Sequence, residues 1–238
     1  LRERYPDQDP PSLTTIYNVL KRADLIPSRR TRRRVHPGAA VVDGIKAPNG
    51  LWSADFKGQF LMGDARWCYP LTVMDHASRY VLGCHGLTST RGLPARAVFE
   101  RLFREYGVPE RIRTDNGVPF ASMGTGGLSR LSVWWIRLGI VPERITPGRP
   151  QQNGRHERMH RTLKRAVSQP PAKNLHAQQR RFNAFCHHYN TERPHEALDQ
   201  RTPASVYTVS TRSYPEHLPA LVYPSYMPVS YTHLRAHE

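Results

Sequence analysis

Between residues 51 and 189 the hydrophobic period changes in an order that few architectures can accommodate. Leu51–Leu61, Cys68–Asp75 and Arg79–Leu87 are short apolar runs rich in β-branched and aromatic residues, with Gly63-Asp64 and Asp75–Ser78 supplying turns. They read as three consecutive strands. The period then lengthens: Pro94–Tyr106 predicts a helix with Val98, Leu102 and Phe103 on one face, stopped by Gly107. Arg111–Asp115 predicts a short strand, Leu131–Leu138 a helix carrying Trp134 and Trp135, and Ile140–Ile145 another strand. Two longer helices follow over Gln151–Val167 and Leu175–Tyr189. Three strands followed by alternating helix and strand predict an α/β layer structure with a mixed sheet flanked by helices. No internal repeat interrupts that order.

Charge narrows the partners. The 238 residues carry 35 Lys and Arg against 19 Asp and Glu, a formal net charge of +16. Such an excess points to a polyanion, nucleic acid first and a membrane surface second. No apolar run approaches the length that spans a bilayer, and no signal peptide is visible, so a membrane is not expected as a partner. The charge is also uneven. Residues 144–201 hold 12 Lys and Arg against 4 acids, half of the net excess, which favours a surface that tracks phosphates over scattered solubilising charge. Cys68, Cys84 and Cys186 form no CxxC pair and suggest neither a disulfide framework nor a zinc knuckle. A reducing cytoplasm fits this cysteine usage.

The flanks read differently from the centre. Ser12 can cap a helix over residues 12–24 in which Leu13, Ile16, Leu20 and Ala23 share a face. Arg29, Arg30, Arg32, Arg33 and Arg34 follow within six positions, and a stretch rich in Ala, Gly, Val and Pro runs to Gly50. Residues 1–27 resemble the tail of a truncated helix-turn-helix DNA-binding module, and 28–50 are expected to be a basic linker with affinity for the phosphate backbone but no base readout. Residues 208–227 are expected to open a truncated C-terminal region. Residues 228–238, which continue no preceding pattern, resemble the translation of a sequencing adapter and are set aside from fold reasoning.

Three acids stand out by position. Asp55 lies inside the first strand among apolar neighbours, where a lone carboxylate is costly unless its charge is compensated. Asp115 ends a strand and precedes Asn116-Gly117. Glu157 sits on a helix whose charged neighbours are almost all positive. Magnesium takes oxygen ligands from a few carboxylates, and two such ions about 3.5–4 Å apart suit phosphodiester chemistry. Taken singly, each acid has an ordinary alternative: a turn residue for Asp115, an ion pair for Glu157.

Their setting decides. Trp52-Ser-Ala-Asp-Phe56, Val73-Met-Asp-His-Ala-Ser-Arg-Tyr80 and Arg113-Thr-Asp-Asn-Gly117 with Phe120 resemble the integrase-like core of insertion-sequence transposases. So do Pro147-Gly-Arg-Pro-Gln-Gln-Asn-Gly-Arg-His-Glu-Arg158 with Leu163-Lys164, and Tyr189-Asn-Thr-Glu-Arg-Pro-His195 ending in Thr202-Pro203. The resemblance covers residues 51–207. It implies a ribonuclease-H-like fold whose catalytic acids, of the DDE type, are Asp55, Asp115 and Glu157, together holding two Mg2+ or Mn2+ ions. It implies metal-dependent cleavage at an element end, transfer of the freed 3′-hydroxyl to target DNA, and a homo-oligomer assembled on DNA. One departure is the 41-residue interval between Asp115 and Glu157, longer than in many relatives. The glycine-rich run Met123–Ser129 is expected to hold the surplus as a loop.

Helical spacing puts His160, Arg161 and Lys164 on the face of Glu157 as DNA contacts, Lys164 resembling the family lysine beside the element end. Among the remaining acids, Asp75 is expected to be structural, satisfied locally by Ser78 and Arg79. Glu143 sits near a strand instead of on the expected helix. Two other readings share these residues: a nuclease of the same fold that never joins DNA, and a DNA-binding regulator without catalysis.

Overall fold

The computed structural model describes residues 9–23, 25, 47–122, 127–146, 154–167 and 170–218. The chain divides into two compact units, Leu1–Val41 and Val42–Glu238. In the first, α1 (Leu13–Arg22) begins where the sequence predicts, its N-terminus capped by the Ser12 hydroxyl, which accepts from the Thr15 N–H at 3.2 Å. The arginines at 29, 30 and 32–34, the remainder of the expected helix-turn-helix, and residues 219–238 lie outside the described residues.

The second unit is a mixed sheet between two helical layers. Its strands are β1 (Trp52–Phe56), β2 (Phe60–Leu61), β3 (Trp67–Asp75), β4 (Val81–Leu87), β5 (Arg111–Thr114) and β6 (Val141–Arg144). β3 pairs antiparallel with β4 and with β1, while β1–β5 and β5–β6 are parallel. Since β1 and β4 both pair with Leu71–Val73, they occupy opposite edges of β3, which gives the order β4-β3-β1-β5-β6. β2 prolongs the β1 side against Trp67 and Cys68. Helices α2 (Gly92–Tyr106), α3 (Arg130–Arg137), α4 (Gly154–Val167) and α5 (Leu175–Thr191) cover the two faces.

Period-two alternation along the strands decides which side chains meet which helices. Trp52, Ala54, Leu71, Val73 and Ile112 point into a core shared with Phe99, Phe103 and Trp135 of α2 and α3. The opposite set, with Met74, Val81 and Cys84, packs against Met159, Leu163 and Val167 of α4 and Phe182 and Phe185 of α5. Ser53, Asp55 and Thr72 belong to that second face. The sheet thus hands the polar members of β1 and β3 to α4. Among the described residues no helix is long and apolar enough to cross a membrane.

Three local outcomes differ from the sequence expectation. The first strand breaks at Lys57-Gly58-Gln59, where Gly58 takes φ +27°, so Leu51–Leu61 yields two strands. The third strand starts at Val81, because Arg79 adopts φ +65° to close the turn in which its N–H donates to the Asp75 carbonyl at 3.1 Å. Residues 208–218, expected to open a separate region, are instead fastened to the core. The Val108 N–H donates to the Arg212 carbonyl at 2.7 Å, and the Arg212 guanidinium donates to the carbonyls of Pro109, Leu138 and Gly139 at 2.7–3.1 Å. Tyr207 stacks on Tyr80 at 4.4 Å, and Tyr214 lies against Phe103 at 6.2 Å. This strap ties the α2–β5 and α3–β6 turns together through buried rings and backbone acceptors, a set of contacts that no local period announces.

Candidate active site

Register brings the first two acids level. β1 and β5 pair in parallel with Trp52 opposite Ile112 and Ser53 opposite Arg113, so the same offset carried two residues further sets Asp55 beside Asp115. Asp115 lies just past the end of β5 in a tight turn. Its Oδ1 accepts from the Gly117 N–H at 3.1 Å, and the Asn116 amide donates to the Ile145 carbonyl at 3.1 Å. A Cβ on Gly117 would stand 3.1 Å from Asp115 Oδ2, so the glycine leaves the carboxylate its room. Glu157 is exposed in the first turn of α4, where the helix dipole favours an acid.

Burial, followed by the negative charge of Asp115 and a smaller contribution from Glu157, pushes the Asp55 carboxyl up to about 7 against the lowering effects of the Phe56 N–H and Lys57. The three acids do not form a closed cage: among the described residues no group of three or more His, Cys, Asp or Glu is disposed to hold an ion as it stands. A cleft of about 480 Å³ opens beside them, lined by Lys57, Glu157, His160, Arg161, Lys164 and Arg165. Its lining is largely cationic, with Glu157 the one acid among these residues. Such a lining suits a phosphate backbone held by the cations beside Glu157.

Arg161 and Lys164 are exposed on this cleft, as the helical spacing predicts. His160 departs from that expectation. It is 5% exposed and turned into the sheet, with Nε2 2.6 Å from Thr72 Oγ1 and Nδ1 3.8 Å from Asp55 Oδ2. His156, fully buried, lies 2.7 Å from the same Thr72 oxygen through Nε2 and 2.8 Å from Ser53 Oγ through Nδ1. Burial lowers His156 to about 3 and His160 to about 2, so both rings are neutral and the approach of His160 to Asp55 is not an ion pair. These bonds dock α4 onto β1 and β3 one turn from Glu157. Lys57 and Arg165 are cleft cations that the sequence analysis did not single out. Lys57 was legible as the residue two beyond Asp55 on the same strand face.

The other acids are occupied elsewhere. Asp75 is buried at the end of β3, its carboxylate accepting from the Asn49 N–H at 2.8 Å and from the Ser78 N–H and hydroxyl at 2.8 and 2.6 Å. Ser78 thus plays the expected part, while the Arg79 side chain donates to the His76 carbonyl. Glu143 bridges Arg111 at 3.0 Å and Arg113 at 2.9 Å across β5 and β6. The five arginines at 29, 30 and 32–34 lie outside the described residues.

A raised carboxyl has a thermodynamic signature. Between about pH 4 and 7 the unfolded chain has released the Asp55 proton and the fold still holds it, so stability falls as pH rises through that window and stays reduced above it. Asp55→Asn removes the penalty. In metal-free buffer at pH 8 its thermal midpoint is expected to exceed the parent's by roughly 5 °C, with little difference at pH 4. A variant no more stable than the parent at pH 8 would contradict the assignment of strain to these carboxylates.

Comparison with known proteins places the family and the fold. Two family models, each described as an integrase core domain, match residues 45–150 and 138–203 and together span more than half of the chain. An uncharacterized 31.7 kDa protein of insertion element IS407 from Burkholderia multivorans is 28% identical over 196 residues, covering 79% of this chain and 66% of that protein. The uncharacterized 39.2 kDa protein of insertion element IS476 from Xanthomonas euvesicatoria is 29% identical over 203 residues, 79% of this chain and 53% of that one. The Gag-Pol polyprotein of baboon endogenous virus is 30% identical over 141 residues, which is 57% of this chain and 8% of the polyprotein. The chain thus spans two thirds or less of each of these relatives. Among solved structures, a chain of the simian T-cell lymphotropic virus intasome in complex with PP2A regulatory subunit B56 gamma superposes with a TM-score of 0.58 at 19% identity, covering 76% of this chain and 62% of that chain. The catalytic core domain of BIV integrase gives a TM-score of 0.50 at 20% identity, over 67% of this chain and 93% of that one. At those identities the likeness is one of fold.

Proposed function

Because the chain belongs to the integrase core family and has its ribonuclease-H-like fold, we propose that it is an insertion-sequence transposase that cleaves DNA at an element end and joins that end to target DNA. The observation that carries the proposal is that the parallel β1–β5 register, carried past its last pair, sets Asp55 beside Asp115, with the charge of Glu157 reaching Asp55 from α4. Two divalent cations, Mg2+ or Mn2+, would fit this donor set, because hard carboxylate oxygens suit them and because burial, with the charge of Asp115 added, raises Asp55 to about 7, a penalty that bound positive charge would relieve. Bound there, the ions would supply activation of the attacking oxygen and charge neutralisation at the leaving one. The chain's own part is positioning. Asp55 sits on β1, Asp115 in the tight turn just past β5, and Glu157 approaches from a helix docked through His156 and His160. Lys57, Arg161, Lys164 and Arg165 hold the phosphate backbone in the cleft.

Residues 1–27 and the arginines at 29, 30 and 32–34 would add DNA affinity to this core, and the chain would act as a homo-oligomer that brings element ends and target together. The same acids serve a nuclease that only hydrolyses, so the discriminating experiment supplies a labelled, pre-cut element end, a target plasmid and Mg2+. The expected product is the end covalently joined to the plasmid, absent in chelator. Metal-dependent nicking with no joined product would favour the nuclease, and binding with neither product would favour a regulator.

A further inference from the structure

Helix α4 carries basic residues on two flanks, and the reading above uses only one of them. At about 3.6 residues per turn, the buried stripe His156, Met159, Leu163 and Val167 divides the helix surface. Glu157, Arg161, Lys164 and Arg165 fall on one side of it, in the cleft beside the acids. Arg155, Arg158 and Thr162 recur at helical spacing on the other side, where they line a second cavity of about 670 Å³. The two linings have no residue in common.

Arg79, from the turn after β3, and Arg193, from the segment after α5, also line the second cavity. Four arginines thus face one acid, Glu196. Among the described residues no carboxylate lies within ion-pair distance of Arg79, Arg158 or Arg193. Asp75, near Arg79 in the chain, already accepts from Asn49 and Ser78. The Arg79 and Arg155 guanidiniums both donate to one backbone oxygen, the His76 carbonyl. Burial, then the charges of Arg155 and Arg158, lowers Arg79 to about 10, so like charges crowd here without full compensation. Arg193 is held in place: its guanidinium lies 5.6 Å over the Tyr189 ring and donates to Thr162 Oγ1 at 3.3 Å.

An anion with several oxygens relieves that crowding, and the planar guanidinium fork matches phosphate. Arg158 of this cavity and Arg161 and Arg165 of the cleft are exposed and neighbour one another on the outer face of α4. A helix is about 10–12 Å across, and successive phosphates of one strand advance about 3.4 Å, so a DNA backbone crosses α4 in about three or four nucleotides. We propose that the Arg79–Arg158–Arg193 cavity is a second phosphate site, which holds the backbone of the DNA that crosses α4 from the cleft. The proposal rests on the DNA-binding reading above and is independent of the three acids.

The ordinary alternative is a solvated basic rim that binds nothing. The test is the salt dependence of binding of the full chain, in chelator, to a duplex of about 20 base pairs, which reaches past both flanks. Each phosphate contact adds about 0.9 to the slope of log affinity against log salt. Arg158→Ala/Arg193→Ala, which changes two exposed side chains, is expected to reduce the slope by about 2. Lys164→Ala/Arg165→Ala should reduce it by a similar amount, and the four changes together by about 4, because separate sites add. Arg158→Lys/Arg193→Lys keeps the charge and is expected to keep the parent's slope. An unchanged slope in Arg158→Ala/Arg193→Ala, with the slope still reduced in Lys164→Ala/Arg165→Ala, overturns the second site and leaves the cleft standing. If inorganic triphosphate then stabilises the parent and not Arg158→Ala/Arg193→Ala, the cavity serves a small phosphate compound instead. Four changes no worse than either pair, or a lysine variant as weak as the alanine one, overturn the proposal too. A parent chain that binds no duplex overturns the DNA-binding reading with it.

Discussion

Glutamine at position 157, or asparagine at 55 or 115, is expected to reduce strand joining by about a thousandfold or more while DNA binding is retained. Ions that neutralise the attacking and leaving oxygens are worth several kcal/mol of transition-state stabilisation. At 1.36 kcal/mol per decade, a loss of about 4 kcal/mol gives that factor. The β1–β5 register sets Asp55 beside Asp115, just past the end of β5, and the charge of Glu157 reaches Asp55 from α4, so on the proposed reading each carboxylate contributes to a single constellation. Groups that act as a unit lose nearly as much singly as together. The double variant Asp55→Asn/Glu157→Gln should therefore be scarcely worse than either single one. Retention comes from Lys57, Arg161, Lys164 and Arg165, which none of these changes touches. Joining rates and gel-shift affinities on the same preparations check both halves. Substantial activity in Glu157→Gln would show that the third acid lies elsewhere.

Asp75→Ala is expected to fail in a different way. Asp75 is fully buried, and its carboxylate accepts from two backbone N–H groups and one hydroxyl. Truncation leaves those donors without an acceptor where water does not reach, at about 1–3 kcal/mol for each one unsatisfied. Some relaxation of Ser78 softens the sum, and a net loss of roughly 3–5 kcal/mol follows. For a domain of this size that lowers the thermal midpoint by about 10 °C. The surviving folded fraction at low temperature should still join DNA at a near-parental rate, because Asp75 faces Asn49 and Ser78 at the end of β3. Loss of joining in fully folded Asp75→Ala protein would place Asp75 in the catalytic set. A midpoint within a degree or two of the parent would contradict the three-bond account.

Much of this architecture is legible in local pattern. Runs of period two followed by alternating helix and strand carry the layer order, and Gly107 ends α2 with φ +74° where the sequence calls for a stop. Alternation along β1 already separates Trp52 and Ala54, which enter one core, from Ser53 and Asp55, which face α4. His160 shows where spacing misleads. Counted from Glu157 it falls on the cleft face. Counted with His156, Met159, Leu163 and Val167 it completes a buried stripe at helical spacing, and that stripe is the one the fold uses. Two histidines in an otherwise apolar stripe disguise it, and their burial depends on Ser53 and Thr72, which lie 84 to 103 residues away in sequence. The Tyr207–Leu218 strap is illegible for the same reason. Its partners are backbone carbonyls at Pro109, Leu138 and Gly139, which no side-chain pattern encodes.

The central claim is that Asp55, Asp115 and Glu157 are a metal site. Its most direct test is anomalous diffraction from crystals of the protein soaked in Mn2+. The account predicts a manganese peak between the Asp55 and Asp115 carboxylates, with Glu157 drawn toward it and oxygen ligands at roughly 2.1–2.2 Å. Fully soaked crystals with no peak at these carboxylates, or with manganese bound only at other acids, would contradict it.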